Sequence, residues 1–245
     1  MPNARVERVS YGPDSQQFFE LWRPEGTPAG TAIFIHGGFW RAKYDLSHAN
    51  PFCEALAARG IATANLEYRR MGQSGGGWPG TFEDVKAGVN GASGRLHDAP
   101  VVIGHSAGGH LALLLASESI PLRAVIALAP VANLRLANEL NLSNGAVAEF
   151  LGAPPENAPE LCDAACASKH HSALRRVLVH GTEDEVVPLA ISRSYIEARA
   201  RDPQPPTLVE IPNAMHMDLI DPQSPAGAEV LNLVLRAMLP DEREE

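Results

Sequence analysis

Short apolar runs, each about the length of one buried strand, alternate with helical patterns along most of the chain. The apolar runs lie at 31–35, 61–66, 101–103, 122–129, 176–179 and 208–211. The helical patterns that follow them begin near Pro51, Thr81, Ala107, Pro188 and Ala226. Asn50 is the expected N-cap of the first helix, and Thr81 with Asp84 forms a weaker capping box on the second. Apolar strands separated by helices predict a mostly parallel sheet covered on both faces.

The N-terminal region does not follow this alternation of strands and helices. Residues 5–11 and 17–23 alternate in polarity on either side of a Gly-Pro-Asp turn, so we predict an antiparallel hairpin ahead of the parallel strands. In an open α/β sheet, sites form from the loops at the carboxyl ends of the strands. The loops after residues 35, 66, 103, 129, 179 and 211 are therefore expected to share one edge.

Residues 130–173 form a second irregular region. They hold short helical pieces at 145–151 and 159–167, separated by prolines, and we predict a short cap-like insertion that covers the sheet. No internal repeat or linker divides the chain, so residues 1–245 are expected to form one domain. The charged tail at 241–245 is expected to be disordered.

Composition narrows the class of protein. The chain has 245 residues, 45% of them hydrophobic, and a net charge of −9. Its only lysines are at 43, 86 and 169, and no basic stripe exists, which argues against nucleic acid or an anionic membrane surface as a partner. No apolar run approaches the roughly 20 residues of a membrane span, and the first ten residues lack the apolar core of a signal peptide. Three cysteines, an odd count, favour a reducing compartment, so we expect a cytoplasmic protein and leave a homo-oligomer open.

One serine lies at the apex of a strand–turn–helix pattern. The segment VVIGHSAGGHLALLLAS runs from an apolar strand through a G-x-S-x-G turn into an apolar helix. Such a sharp turn needs small residues at Gly104 and Gly108, and it lifts the hydroxyl of Ser106 clear of the sheet. The pattern indicates Ser106 as a nucleophile, whereas the alternative is a glycine-rich turn with a capping serine.

A serine nucleophile needs a base and an acid partner for that base. His216 follows the last predicted strand and is the expected base, while His36 and His180 end strands and are expected to be structural. His105 is expected to point away from the serine. Asp184 is the expected acid; the same turn also holds Glu183 and Glu185, and the alternative is a solvated acidic turn.

The oxyanion that forms during acyl transfer needs amide donors. The amide of Ala107 starts a helix and is one expected donor. The segment HGGFW at 36–40 follows a strand, and its glycines allow the amides of Gly38 and Phe39 to approach a substrate. The alternative for these glycines is an ordinary turn.

With these motifs in this order, the chain resembles the α/β-hydrolases. The matching pieces are HGGFW at 36–40, GHSAGG at 104–109, HGTEDEVVP at 180–188 and HMDLID at 216–221. HGGFW is similar to the H-G-G-x-W motif of kynurenine formamidases (arylformamidases) and of related small carboxylesterases. The resemblance implies a sheet of about eight strands with one antiparallel strand near the start. It also implies Ser106, Asp184 and His216 as a catalytic triad, an oxyanion hole at Gly38, Phe39 and Ala107, and chemistry without a cofactor.

Other residues have two interpretations each. Trp40, Trp78 and Met215, with Phe39 and Met217, are candidates for the substrate pocket, although such residues are more often core. Arg69 and Arg70 follow a strand end, where they would bind a substrate carboxylate or pair with Glu67 or Asp84. Cys162, Cys166 and His170 recur every four residues, but the spacing matches no standard ligand set, and we expect no metal.

We therefore predict a serine hydrolase that cleaves small carboxylic esters or aryl formamides through an acyl-enzyme on Ser106. A small serine peptidase and a lactone or thioester hydrolase of the same fold are alternatives within the enzymes. A non-catalytic binding protein that kept the fold is the alternative from another class.

Overall fold

A computed structural model describes residues 5–238, which build one eight-stranded sheet. The strands are β1 Arg5–Ser10, β2 Phe18–Arg23, β3 Gly30–Ile35, β4 Ile61–Leu66, β5 Val101–His105, β6 Ala124–Leu128, β7 Arg176–Gly181 and β8 Thr207–Ile211. Their order across the sheet is β1-β2-β4-β3-β5-β6-β7-β8. Strand β2 pairs antiparallel with β1 and β4, and the other neighbours are parallel. The predicted hairpin and the predicted sheet, with a single strand running against the rest, are confirmed.

Helices cover both faces of this sheet. They are α1 Asn50–Ala57, α2 Gly80–Ser93, α3 Ala107–Leu115, α4 Leu134–Glu139, α5 Ala146–Leu151, α6 Pro159–Ala165, α7 Leu189–Ala198 and α8 Pro225–Ala237. Strand β3 shows why two layers are needed: Ile33 and Ile35 point into one apolar core, and Ala32 and Phe34 point into the other. Successive strand residues face opposite sides of a sheet, so a strand with apolar residues on both faces requires cover on each side.

The start of α1 differs from the prediction. Asn50 is the first residue of the helix rather than its cap, because a 3₁₀ turn at Leu46–Ala49 precedes it and leads straight into α1. The capping side chain belongs to Asp45, which accepts from the amide of Ser47. The Asn50 carboxamide instead accepts a hydrogen bond from Asn65 on β4.

The predicted capping box at Thr81 and Asp84 is wrong. Helix α2 begins at Gly80 and has no side-chain cap. The Thr81 hydroxyl donates to the carbonyl of Arg69 and accepts from the amide of Gly77, while Asp84 binds the Arg69 guanidinium. Tertiary partners thus take both side chains away from the helix end.

The predicted insertion at 130–173 contains helices α4, α5 and α6, which pack on one another. Its helical part near 159–167 ends earlier than expected, at Ala165, and a separate 3₁₀ turn follows at Ala167–Lys169. Phe150 of this segment stacks on Trp40, with ring centroids 4.4 Å apart, so the segment contacts the loop that follows β3. Within residues 5–238, no helix has the length and apolar content needed to cross a bilayer. The tail at 241–245 lies outside the described residues.

Candidate active site

Ser106 lies at the turn between β5 and α3, in a strained backbone conformation. Its φ of 57° and ψ of −117° are rarely adopted by a residue other than glycine. The flanking glycines are required by close approach. A Cβ on Gly104 would come within 2.2 Å of the carbonyl oxygen of Gly108, and a Cβ on Gly108 within 2.1 Å of the carbonyl oxygen of Ile35. The sequence therefore folds into the sharp turn that the G-x-S-x-G pattern predicts.

His216 and Asp184 meet beside this turn. They lie on the loops after β8 and β7, two neighbouring parallel strands, and Nδ1 of His216 donates to Oδ2 of Asp184 at 2.6 Å. The other carboxylate oxygen of Asp184 accepts from the amides of Val186 and Val187, at 2.9 and 2.8 Å. With Nδ1 committed to Asp184, the Nε2 atom of His216 remains as the ring nitrogen that can exchange a proton with a substrate.

The carboxylate of Asp184 is held in its charged form. Burial alone would raise the pKa of Asp184, but His180, His216 and the amide of Val187 together outweigh that cost and hold the pKa well below its usual range. Asp184 is thus an anion at neutral pH, which fixes the orientation of the His216 ring.

A cavity of about 330 Å³ opens at Ser106, and we call it the Ser106 cavity. Its walls are Gly38, Phe39, Tyr44, His48, His105, Ser106, Val186, His216 and Met217. Ser106 and His216 are brought to the same cavity, although no Ser106–His216 hydrogen bond is formed within the described residues. Such contacts often tighten only when substrate is bound.

The amides expected to bind an oxyanion lie around this cavity. Gly38 and Phe39 line it, and both have positive φ, of 109° and 48°. Ala107 is the first residue of α3, next to Ser106. In the described turns and loops, the amides of these three residues donate to no carbonyl. They are therefore free to donate to a bound ligand, and the helix dipole at Ala107 favours negative charge there.

Of the aromatic residues predicted for the pocket, Phe39 lines the Ser106 cavity, whereas the two tryptophans lie elsewhere. Trp40 is fully buried, between Phe150 and the edge of His110, and it does not line the Ser106 cavity. Trp78 packs on Phe82 and Phe150 and likewise lies outside the cavity lining. Both indoles pack on Phe150 of α5, and Trp78 also packs on Phe82 of α2, so they join the loops that carry them to these helices.

Of the two methionines beside His216, only one lines the cavity. Met217 is a wall residue and Met215 is not, although both are about half exposed. The structure also adds Tyr44, His48 and Val186 to the walls. Sequence reasoning missed Tyr44 and His48 because they lie outside the motifs, and Val186 because nothing in the 180–188 segment distinguishes a cavity residue from a core residue. The available signal was their position on loops that follow β3 and β7.

His105 does not point away from the site as expected. His105 is one of the residues that line the Ser106 cavity, and its ring centroid lies 4.5 Å from that of His216. Its Nε2 atom donates to the backbone carbonyl of His216 at 3.1 Å. Burial lowers the pKa of His105 well below its usual value, and the nearby His216 adds to the shift. His105 is therefore a neutral ring that supports the His216 loop.

Burial likewise lowers the pKa of His48 to about 4, and His36 contributes to the shift. A neutral imidazole at His48 leaves this wall of the cavity without charge at neutral pH.

The other predicted candidates have structural partners. Arg69 pairs with Asp84 at 2.6 Å, and Arg70 pairs with the buried Glu67 at 2.7 Å. Of the two interpretations for these arginines, the structure supports the ion pair.

The cysteine–histidine repeat does not converge on one point. The sulfur of Cys166 accepts from the amide of Leu134, and the Nε2 atom of His170 donates to the carbonyl of Ala164. Across residues 5–238 no group of three or more His, Cys, Asp or Glu side chains is arranged to hold a metal ion.

Comparison with known proteins supports this fold assignment. A sequence profile described as BD-FAE matches residues 21–198. Esterase LipC of Mycobacterium tuberculosis is 27% identical over 273 residues, covering 94% of this chain and 65% of that protein. The chain thus spans just under two thirds of the length of this relative.

Two solved structures are similar over almost the whole chain. Esterase B of Lactobacillus rhamnosis has a TM-score of 0.81 at 20% identity, covering 97% of this chain and 85% of its own. An esterase of the Planctomycetes species Thermogutta terrifontis, solved with propionate bound, has a TM-score of 0.74 at 23% identity, covering 98% and 97%. These similarities show that the chain has the α/β-hydrolase fold.

Proposed function

The chain belongs to the BD-FAE family, and from this membership and the geometry around Ser106 we propose that it is a serine hydrolase of small, uncharged carboxylic esters. One observation carries the proposal. One cavity is lined by Ser106 and His216 together with Gly38 and Phe39, whose amides donate to no carbonyl in the described turns and loops. Asp184 accepts a hydrogen bond from Nδ1 of His216. This is the set of groups that acyl transfer to a serine requires.

In the proposed acylation step, Nε2 of His216 takes the hydroxyl proton as Oγ of Ser106 attacks the ester carbonyl. The carbonyl electron pair moves onto oxygen, and the amides of Gly38, Phe39 and Ala107 stabilise the resulting oxyanion. When the oxyanion collapses, the carbon–oxygen bond to the alcohol breaks, and the imidazolium of His216 returns the proton to the departing alkoxide. An ester of Ser106 remains.

Deacylation repeats these steps with water. His216 removes a proton from water, the hydroxide attacks the acyl carbon, and the bond to Oγ of Ser106 breaks as that oxygen regains the proton. The products are a carboxylic acid and free enzyme. The negative charge of Asp184 stabilises the imidazolium of His216 in both halves of the reaction.

The cavity walls favour an uncharged, apolar acyl group. The described lining has no Asp, Glu, Lys or Arg side chain, and Phe39, Val186 and Met217 contribute apolar surface. Burying an unpaired charge there would cost several kcal/mol, of the order found for isolated ions in proteins. Aminoacyl groups, whose ammonium would need an acidic partner, therefore fit less well, which argues against the peptidase alternative.

Aryl formamides are a second candidate substrate class, because the same acyl-enzyme chemistry would cleave them. A formyl group is small and uncharged, and the HGGFW segment resembles the one in kynurenine formamidases. The names of the relatives, which are esterases, favour esters as the principal substrates.

A substrate panel with a covalent probe tests the proposal. We expect turnover of short p-nitrophenyl esters, slower or comparable turnover of N-formylkynurenine, and much slower turnover of an aminoacyl p-nitroanilide. A fluorophosphonate probe should label the wild-type protein and not the Ser106→Ala variant. Faster turnover of the aminoacyl substrate would establish a peptidase instead, and wild-type protein that stays unlabelled and inactive would establish a non-catalytic fold relative.

A further inference from the structure

Glu67 is a buried carboxylate directly behind the loop that carries Gly38 and Phe39. Only 2% of its surface is exposed. One oxygen accepts from Nε2 of His36 at 2.9 Å and from the amide of Tyr68 at 2.9 Å, and it also pairs with the Arg70 guanidinium at 2.7 Å. The other oxygen accepts from the amide of Leu46 at 3.1 Å. Burial alone would raise the pKa of Glu67, but the charges of His36 and Arg70 and these hydrogen bonds hold it below its usual value.

His36 connects this carboxylate to the loop. Its Nδ1 atom lies 2.8 Å from the carbonyl oxygen of Gly37, and its Nε2 atom lies 2.9 Å from the Glu67 carboxylate, so the ring bridges the loop and the carboxylate. The ring also stacks on Tyr68, with centroids 4.4 Å apart, and the Tyr68 hydroxyl donates to the His36 carbonyl at 2.7 Å. The orientation of the Gly37 peptide is therefore coupled to the charge of Glu67.

The same carboxylate holds a second wall of the Ser106 cavity. Its bond to the amide of Leu46 fixes the 3₁₀ turn that carries His48, and Arg70 donates to the carbonyl of Tyr44. Tyr44 and His48 both line the cavity. In sequence they follow the loop at residues 36–40, the glycine loop, which His36 holds. Glu67 and Arg70 thus hold both the glycine loop and the segment that carries Tyr44 and His48.

The glycine loop is packed tightly against the serine turn. A Cβ on Gly37 would lie 2.9 Å from the His105 carbonyl oxygen and 3.0 Å from Cβ of Ser106, so the loop packs directly on the serine turn. Displacement of the Gly37 peptide would move the amides of Gly38 and Phe39 relative to Ser106. Oxyanion donors act only when they are aimed at the position that the oxyanion will occupy.

We propose that Glu67, acting through His36 and together with Arg70, is a positioning residue that holds the Gly38 and Phe39 amides in the geometry that binds the oxyanion. This role rests on the proposed hydrolysis at Ser106. It predicts that loss of the Glu67 charge weakens binding of the transition state more than binding of the substrate.

The test compares Glu67→Gln with a matched control, Asp84→Asn. Asp84 is equally buried and pairs with the neighbouring Arg69, but its bonds go to Arg69 and Gln17 rather than to the glycine loop. Each variant is assayed for kcat and KM on a short p-nitrophenyl ester and for inhibition by a trifluoromethyl ketone. Oγ of Ser106 adds to this ketone and gives a bound oxyanion while His216 takes the proton, so the inhibition constant reports on oxyanion binding.

We expect Glu67→Gln to lower kcat by about 10- to 100-fold with KM changed by less than about threefold. The inhibition constant of the ketone should rise by a similar factor. Asp84→Asn should change neither quantity by more than about twofold, even if it lowers the unfolding temperature. A Glu67→Gln variant with wild-type kcat and ketone affinity, or equal losses in both variants, would overturn the positioning role.

A milder variant keeps the proposal testable if Glu67→Gln does not fold. Tyr68→Phe preserves the stacking on His36 and removes only the hydroxyl bond to the His36 carbonyl. We expect kcat to fall about fivefold or more, with a parallel loss of ketone affinity, and unchanged values would overturn the role. If the wild-type protein itself neither hydrolyses esters nor reacts with a fluorophosphonate, the proposed function fails and the positioning role fails with it; an active wild type beside unaffected variants overturns the positioning role alone.

Discussion

Nδ1 of His216 lies 2.6 Å from Oδ2 of Asp184, across the carboxyl ends of two adjacent parallel strands. Under the proposed mechanism this contact keeps the proton on Nδ1 and leaves Nε2 free as the base. Asp184→Asn would offer a carboxamide that can favour the wrong tautomer, so we expect kcat to fall by a factor of about 10⁴. Steady-state hydrolysis of a p-nitrophenyl ester measures the loss.

Glu183→Gln and Glu185→Gln are the matched controls, since both residues are exposed acids in the same turn. Their kcat should stay within about twofold of wild type. A large loss in either control together with an active Asp184→Asn variant would identify a different acid.

The serine turn should not tolerate a methyl group at Gly108. An added Cβ would lie 2.1 Å from a backbone carbonyl oxygen of β3, which cannot move without shifting the strand. We expect Gly108→Ala to lower the free energy of unfolding by about 1–3 kcal/mol and to reduce activity strongly, measured by urea denaturation and ester hydrolysis.

Gly94 provides the comparison for that substitution. It has a helical φ of −66°, and the nearest atom to its added Cβ is 3.6 Å away. Gly94→Ala should stabilise the protein by about 0.4–1 kcal/mol, through the lower entropy of the unfolded chain, and leave activity unchanged. Equal destabilisation by the two substitutions would contradict the close packing at Gly108.

Met217 and Met215 should differ although both flank His216. They are 51% and 58% exposed, but only Met217 lines the Ser106 cavity. A charged side chain on the cavity wall is unfavourable for an apolar acyl group, so Met217→Glu should raise KM for a p-nitrophenyl butyrate by about tenfold, whereas Met215→Glu should change it little. The opposite ranking of KM values would assign the cavity wall to Met215.

Stability should fall as the pH is lowered from 6.5 towards 4. Burial lowers the pKa of His110 to about 4 from an ordinary 6.5, while Nε2 of the ring donates to the Ala165 carbonyl. Between these two pKa values the unfolded chain binds a proton at this site that the folded protein does not, so acidification favours unfolding. The loss across the window is on the order of 3 kcal/mol for this residue.

Urea denaturation at pH 7, 6 and 5 tests this account. His110→Gln keeps a donor for the Ala165 carbonyl but does not titrate, so its free energy of unfolding should fall less steeply with pH than that of wild type. His97→Gln, at an exposed histidine, should keep the wild-type slope. Identical slopes for wild type and His110→Gln would rule out His110 as a source of the pH dependence.

Local pattern was enough to predict most strands and the order of the motifs. An unbroken apolar run such as residues 101–103 of β5 can be stable only between two covering layers, so it predicts a buried strand without knowledge of its neighbours. The capping predictions at Asn50 and Thr81 failed for the opposite reason, because a helix end competes with distant partners. Asn65 and Arg69 take those side chains, and neither is visible in the local sequence.

The sequence by itself determined the fold class and named a serine, an acid and a histidine in order, because turn chemistry and strand burial are local properties. Only the tertiary structure decided which side chains surround Ser106. Cavity membership depends on how loops from separate strands pack, so Trp40 lies in the core while Tyr44, His48 and Met217 line the cavity. The tertiary structure also decided the partners of the buried Glu67 carboxylate, since His36 and Leu46 are near it only in the folded chain.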